Sequence, residues 1–181
     1  VVPEYGGFYG PADDFNNITG EEFVFSEEFY FRCFTIIDDN LPRQMHEEWL
    51  NRLVAVLYRR KKENYDVNLN KDGDPRAPFN QYVCDYHANT TMLFWPLNVK
   101  LAIFTWYEVC RRNMIENNPD IFGGGSGEPA KYGLLSVMRV IAESGIHGDF
   151  EKVQKMYVKM WMVELNEKHE ENERHKKAIK E

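Results

Sequence analysis

The chain has 181 residues, enough for one domain that buries about two-thirds of its unfolded surface. Hydrophobic residues make up 43% and charged residues 28%, a balance that excludes wholesale disorder, and no apolar run reaches the roughly 18 residues of a membrane span. The formal net charge of −7 repels phosphate, so nucleic-acid binding would need a local basic patch to override that field.

Residues 1–18 mix Gly, Pro, Asp and Asn with Tyr5, Phe8, Tyr9 and Phe15. The mixture predicts an irregular arm whose aromatic side chains pin it to a surface, either its own domain or another protein. Thr19 and Glu22 have the spacing of a capping box, which satisfies two backbone N–H groups at a helix start. The helix they open carries Phe23, Tyr30, Phe34 and Ile37. Alternation through Phe23, Phe25, Phe29, Phe31 and Cys33 also suits a strand, and the cap decides for helix. A second helix is expected with Asp39 or Asn40 as cap and Pro42 in the first turn, where a missing N–H costs nothing. Met45, Trp49, Leu53, Val56 and Leu57 form its apolar stripe and place it in the central core. It is expected to close at Arg59, Arg60, Lys61 and Lys62, where positive charge suits the carbonyl end of the helix dipole.

Residues 63–79 read as a long loop of Asn, Asp, Gly and Pro. Asn80 is positioned to cap a third helix running to about Phe94. Pro96 breaks that helix, and a fourth runs to about Asn117 with Leu97, Leu101, Phe104, Trp106 and Cys110 as its apolar residues. The GGGSG run at 123–127 interrupts the chain. A fifth helix holds Leu134, Leu135, Met138, Ile141 and Ala142 and stops at Gly145. Asp149 caps a sixth, with Val153, Met156, Tyr157, Met160, Trp161 and Leu165 along one side. The short connection makes these two antiparallel neighbours. The fold expected is all-α: about six helices in one compact domain over 19–165, preceded by the arm and followed by a polar helical tail over 166–181.

Chemistry-bearing motifs are sparse. Cys33, Cys84 and Cys110 are an odd number and read as reduced thiols in a reducing cytoplasm. Asn68, Asn70, Asp72, Gly73 and Asp74 resemble the first half of a calcium loop, but its closing position holds Phe79 where a bidentate Glu is needed. Cys84 and His87 share one face of a helix, the basis of an alternative metal-binding or enzymatic reading. A structural zinc site needs a second close pair of ligands, and catalysis needs a third group to orient the base. The glycine run lacks the Lys-Ser/Thr ending of a phosphate loop. The basic cluster with Arg59 and Arg60 is the one positive patch that could meet an acidic partner. The expectation is a non-enzymatic protein without metal or cofactor, with Tyr5, Phe8, Tyr9, Phe15, Arg59 and Arg60 as candidate interface residues.

The phrases FYGPADDFNNITGEEF, LVAVLYRRKK, DGDPRAPFN, EVCRRNMIENNPDIFGG and KYGLLSVMRVIAESGIHGDFEKV together resemble small acidic helical proteins encoded among the tail and head–tail genes of tailed bacteriophages and prophages. The resemblance extends roughly from Tyr9 to Leu165. It implies an assembly or structural role, as a tail-assembly chaperone or a connector-like subunit, with a protein partner or a homo-oligomer, while the composition argues against a membrane or nucleic-acid partner. It also implies a location in the host bacterial cytoplasm or the virion, and it carries over no catalytic residue. A bacterial adaptor or regulatory domain is the remaining alternative.

Overall fold

The structure is a computed structural model and describes residues 3–35, 43–69, 73–122 and 134–180. Ile37, Asp39, Asn40, Pro42, Asn70, Asp72 and the GGGSG run lie outside the described residues, as do the side chains of Phe34 and Met45. The fold is predominantly helical, with eight α-helices and one small sheet among the described residues.

The expected irregular arm contains a hairpin. Strands β1 (Glu4–Tyr5) and β2 (Phe8–Tyr9) pair antiparallel, and β2 pairs in turn with β3 (Arg59–Arg60). Gly6 and Gly7 make the turn with φ of 59° and 75°. Two successive positive φ values are what a tight two-residue hairpin turn demands, and glycine meets them without a Cβ penalty. A 3-10 turn at Asp13–Phe15 then leads into α1 (Gly20–Thr35). Thr19 caps α1 as expected, its Oγ1 accepting from the Glu22 N–H at 3.4 Å. The Glu22 carboxylate does not complete the box; it turns inward to two arginines instead.

Helix α2 (Arg43–Leu57) packs along α1 and delivers Leu50, Leu53, Val54, Val56 and Leu57 to the core. Trp49, expected in the central core, is half-buried at its edge, stacked on Phe29 with Arg32 and Arg52 over its ring. The basic residues that follow do not extend the helix. Arg59 and Arg60 enter the sheet, because their backbone groups pair with the hairpin.

Asn80 caps α3 (Gln81–Thr90), its Oδ1 accepting from the Val83 N–H at 3.1 Å. A 3-10 turn at Met92–Phe94 and Pro96 precede α4 (Leu97–Glu116). Of its expected apolar residues, Leu97 and Leu101 face outward and Cys110 inward, and the inner face carries Lys100, Ile103 and Tyr107 beside Cys110. The cause is Lys100. Its ammonium is fully buried yet donates to Glu47 at 2.7 Å, Asn51 at 2.8 Å and the Met92 carbonyl at 3.3 Å. The paired charge and satisfied donors offset the cost of taking that ammonium out of water.

A short α5 (Pro119–Phe122) lies before the next described element, α6 (Leu134–Glu143). The expected sixth helix is two helices, α7 (Phe150–Lys155) and α8 (Val158–Lys180). Asp149 caps α7, accepting from the Lys152 N–H at 3.0 Å. The break falls at Met156–Tyr157, whose backbone is taken up elsewhere: Gly20 donates to the Met156 carbonyl and Val158 to the Ile18 carbonyl, both at 2.8 Å. Trp161 follows, fully buried against Gly20. The polar tail is the continuation of α8. Among the described residues no helix is long and apolar enough to cross a membrane.

Candidate functional site

The aromatic arm lies on its own domain. Phe8 and Phe15 are fully buried. Phe8 meets Trp95 and His87 edge-on, and Phe15 packs on Phe23, Trp106 and Tyr107. Tyr5 is half-buried, 4.8 Å from Trp95 in an edge-to-face contact, and Tyr9 is half-buried beside Glu4. Of the two arginines named with them, Arg60 is exposed and lies over the Phe8 ring at 4.1 Å, while Arg59 is buried.

Arg59 belongs to a buried charge cluster that no local pattern announces. Its Nη2 donates to Glu22 Oε1 at 2.7 Å, and its other nitrogens donate to the Ala77 and Val56 carbonyls. Glu22 Oε2 lies 3.2 Å from Arg76 Nη2 as an ion-pair contact without hydrogen-bond geometry. Arg76 is clamped by the Asp74 carboxylate at 2.8–3.2 Å and donates to the Asn17 and Leu57 carbonyls. Burial opposes the Arg76 charge, but the Glu22 and Asp74 carboxylates outweigh it and hold the guanidinium above its ordinary value. The cluster ties the 73–79 loop to α1 and β3 at the floor of a groove of about 270 Å³ bordered by Lys62 and Lys155. Asp74, the last oxygen of the calcium-like sequence, is thus committed to Arg76.

Cys84 and His87 sit on α3 as the spacing requires, but each is turned to a packing task. Burial pushes the Cys84 thiol up to about 11, so it stays protonated and weakly nucleophilic near neutral pH. The His87 Nδ1 lies 3.2 Å from Thr91 Oγ1. Burial and then the Arg60 charge hold its imidazole below the ordinary value. Among the described residues no group of three His, Cys, Asp or Glu side chains is placed to hold a metal ion. Cys110, also buried, lines a cleft of about 370 Å³ between the Asp13–Phe15 turn, α4 and α8, together with Asn113, Asn117 and Asn166.

The most unusual surface is the outer side of α3, the 92–94 turn and the first half of α4. Tyr82 and Phe94 are 84% and 85% exposed, with Val83, Tyr86, Leu93, Leu97 and Leu101 also open to solvent. These side chains offer on the order of 600 Å² of largely apolar surface. From Tyr86 to Tyr107 the one formally charged residue is Lys100, and it is buried. The one other charged residue of α3 is Asp85, which is ion-paired with Arg52 at 2.6 Å, so this outer surface is poor in charge in a protein whose composition is over a quarter charged. Charge depletion with enriched aromatics is the composition of an interface core, and exposed apolar surface of this extent marks an interaction site. The signal was present in the sequence as that charge-free run.

Comparison with known proteins gives no match: no protein-family model, no curated protein and no solved structure matches the chain.

Proposed function

We propose that this protein is a non-enzymatic assembly or structural component that works through contacts with other proteins, in the setting of a tailed phage or prophage. The observation that carries the mode of action is the exposed apolar and aromatic outer side of α3, the 92–94 turn and the first half of α4. Covering such a surface gains roughly 25 cal/mol per Å² of apolar area. A tail-assembly chaperone would use it to shield an apolar segment of its client, and a connector-like subunit would use it to join a neighbour. The setting rests on the resemblance of the phrases between Tyr9 and Leu165 to phage tail and head–tail proteins, and it places the chain in the host cytoplasm or the virion.

The test is co-expression with the products of the flanking genes. A stable complex with a tape-measure, tube or portal protein, lost on Phe94→Ser with Leu97→Ser, is expected. Flanking genes unrelated to phage assembly would overturn the setting. A complex that ignores both substitutions would overturn the surface.

A further inference from the structure

The cleft between the Asp13–Phe15 turn, α4 and α8 has a volume of about 370 Å³, within the range of small-ligand sites. One wall is strained: Asp14 and the bulky Phe15 both hold positive φ, at 52° and 59°, a region such side chains rarely adopt. Helix α4 holds the turn in this shape. Trp106 Nε1 donates to Asp13 and Asn113 Nδ2 to Asp14, both at 3.3 Å, and the Phe15 ring packs on Trp106 and Tyr107. Strain that persists because its surroundings over-determine it clusters at binding sites, and here it fixes one side of the cleft.

Two kinds of lining meet there. Met114, Val158 and Met162 beside Cys110 make the apolar part, and thioethers mould to varied apolar shapes. The polar part is asparagine. Asn166 donates to Asn118 at 2.9 Å and Asn118 to the Met114 carbonyl at 2.7 Å. Among the described residues the Asn117 amide makes no side-chain hydrogen bond, and the Asn113 and Asn166 side-chain oxygens accept none. An amide sets an acceptor beside two donors, which complements a peptide group. Charge and shape narrow the ligand further. Asp14 and Lys159 are the charged lining residues, one of each sign, so the cleft favours neither an anion nor a cation. A sugar ring would need an open aromatic face, and the one ring in the lining, Phe15, is 1% exposed. A neutral backbone carrying an apolar side chain fits both parts of the lining.

We infer that this cleft binds an extended peptide segment of another protein, its peptide groups paired with Asn113, Asn117 and Asn166 and one Leu or Met side chain resting on Met114 and Met162. Extended chain is the form whose backbone groups are unpaired and open to such contacts. The site lies at the opposite end of α4 from the exposed apolar surface and requires neither that surface nor the phage setting.

Amide NMR titration of the full chain tests this, with N-acetyl-leucine N-methylamide as the probe because it carries one apolar side chain between two peptide groups. Saturable shifts are expected in residues 13–15, 110–118 and 158–166, with a dissociation constant on the order of a few millimolar for so small a ligand. Asn117→Ala, at an exposed position without a side-chain bond, should weaken binding about fivefold at unchanged helicity. Val163→Trp, an exposed lining residue, should fill the cleft and abolish it. Methyl glucoside and isoamylamine, the uncharged sugar and the cation of similar size, should leave these residues unmoved. No saturable shift by about 20 mM, shifts confined to other elements, or binding indifferent to both substitutions would overturn the inference. So would equal shifts with the sugar or the amine. Any of these results leaves the co-expression test of the α3–α4 surface untouched, so the two can fail separately.

Discussion

Gly20→Ala is the sharpest probe of how the first and last parts of the chain are joined. A Cβ built on Gly20 would lie 1.6 Å from Trp161 Cζ2 and 2.3 Å from Cε2 and Cη2, where carbon atoms need about 3.5–4.0 Å. Neither side can yield easily. The indole is fully buried and its Nε1 donates to the Val153 carbonyl at 3.0 Å. The Gly20 N–H is held by the Met156 carbonyl at 2.8 Å. Relief means dislodging the indole or opening the Ile18–Gly20 and Met156–Val158 pairing. Over-packing of this kind costs about 1–3 kcal/mol, and loss of one buried hydrogen bond adds about 1 kcal/mol. Alanine's helix preference returns at most about 1 kcal/mol. The expected net loss is about 2 kcal/mol, read from urea unfolding followed by tryptophan fluorescence. In a Trp161→Phe background, where the outer ring is gone, the same substitution should cost under about 1 kcal/mol, since contacting residues couple. A loss within about 0.5 kcal/mol, or an equal loss in both backgrounds, would refute the packing argument.

Glu22→Ala should destabilise by about 3–5 kcal/mol, because it leaves Arg59 and Arg76 sharing a buried site with Asp74 as the one carboxylate; a loss under about 1 kcal/mol in the same assay contradicts the cluster's role. Trp49→Ala should cost about 2 kcal/mol, less than a fully buried tryptophan, since it gives up partial burial and two cation–π contacts. A loss of the full 3–5 kcal/mol typical of core tryptophans would place it inside. The His87 value is held below its ordinary 6.5 in the folded protein, so its contribution is present above that value and is lost as pH falls through the folded one. His87→Asn should therefore flatten the fall in stability between about pH 7 and pH 5, and equal slopes for both proteins would count against it.

What could be read from the sequence is what local chemistry decides. Thr19, Asn80 and Asp149 cap helices within four residues of themselves, and all three starts are found. What could not be read depends on partners distant in sequence. The Gly6–Gly7 turn becomes a hairpin because Arg59 and Arg60 supply the third strand. Lys100 can be buried because Glu47 and Asn51 come to it from α2, and that choice sets which side of α4 faces water. The helix after Asp149 breaks because residues 18–20 claim its backbone. The candidate surface follows from the second of these. Its sparse charge between Tyr86 and Tyr107 is visible in the chain, and its exposure is not.

Hydrogen–deuterium exchange tests the central claim most directly, comparing the chain alone at high dilution with the complex isolated by co-expression with its gene neighbours. The account predicts new protection in α3, the 92–94 turn and the first half of α4, with the β1–β2 hairpin equally protected in both samples because it already covers its own core. Protection confined to other elements, or no change over residues 81–105, would contradict it.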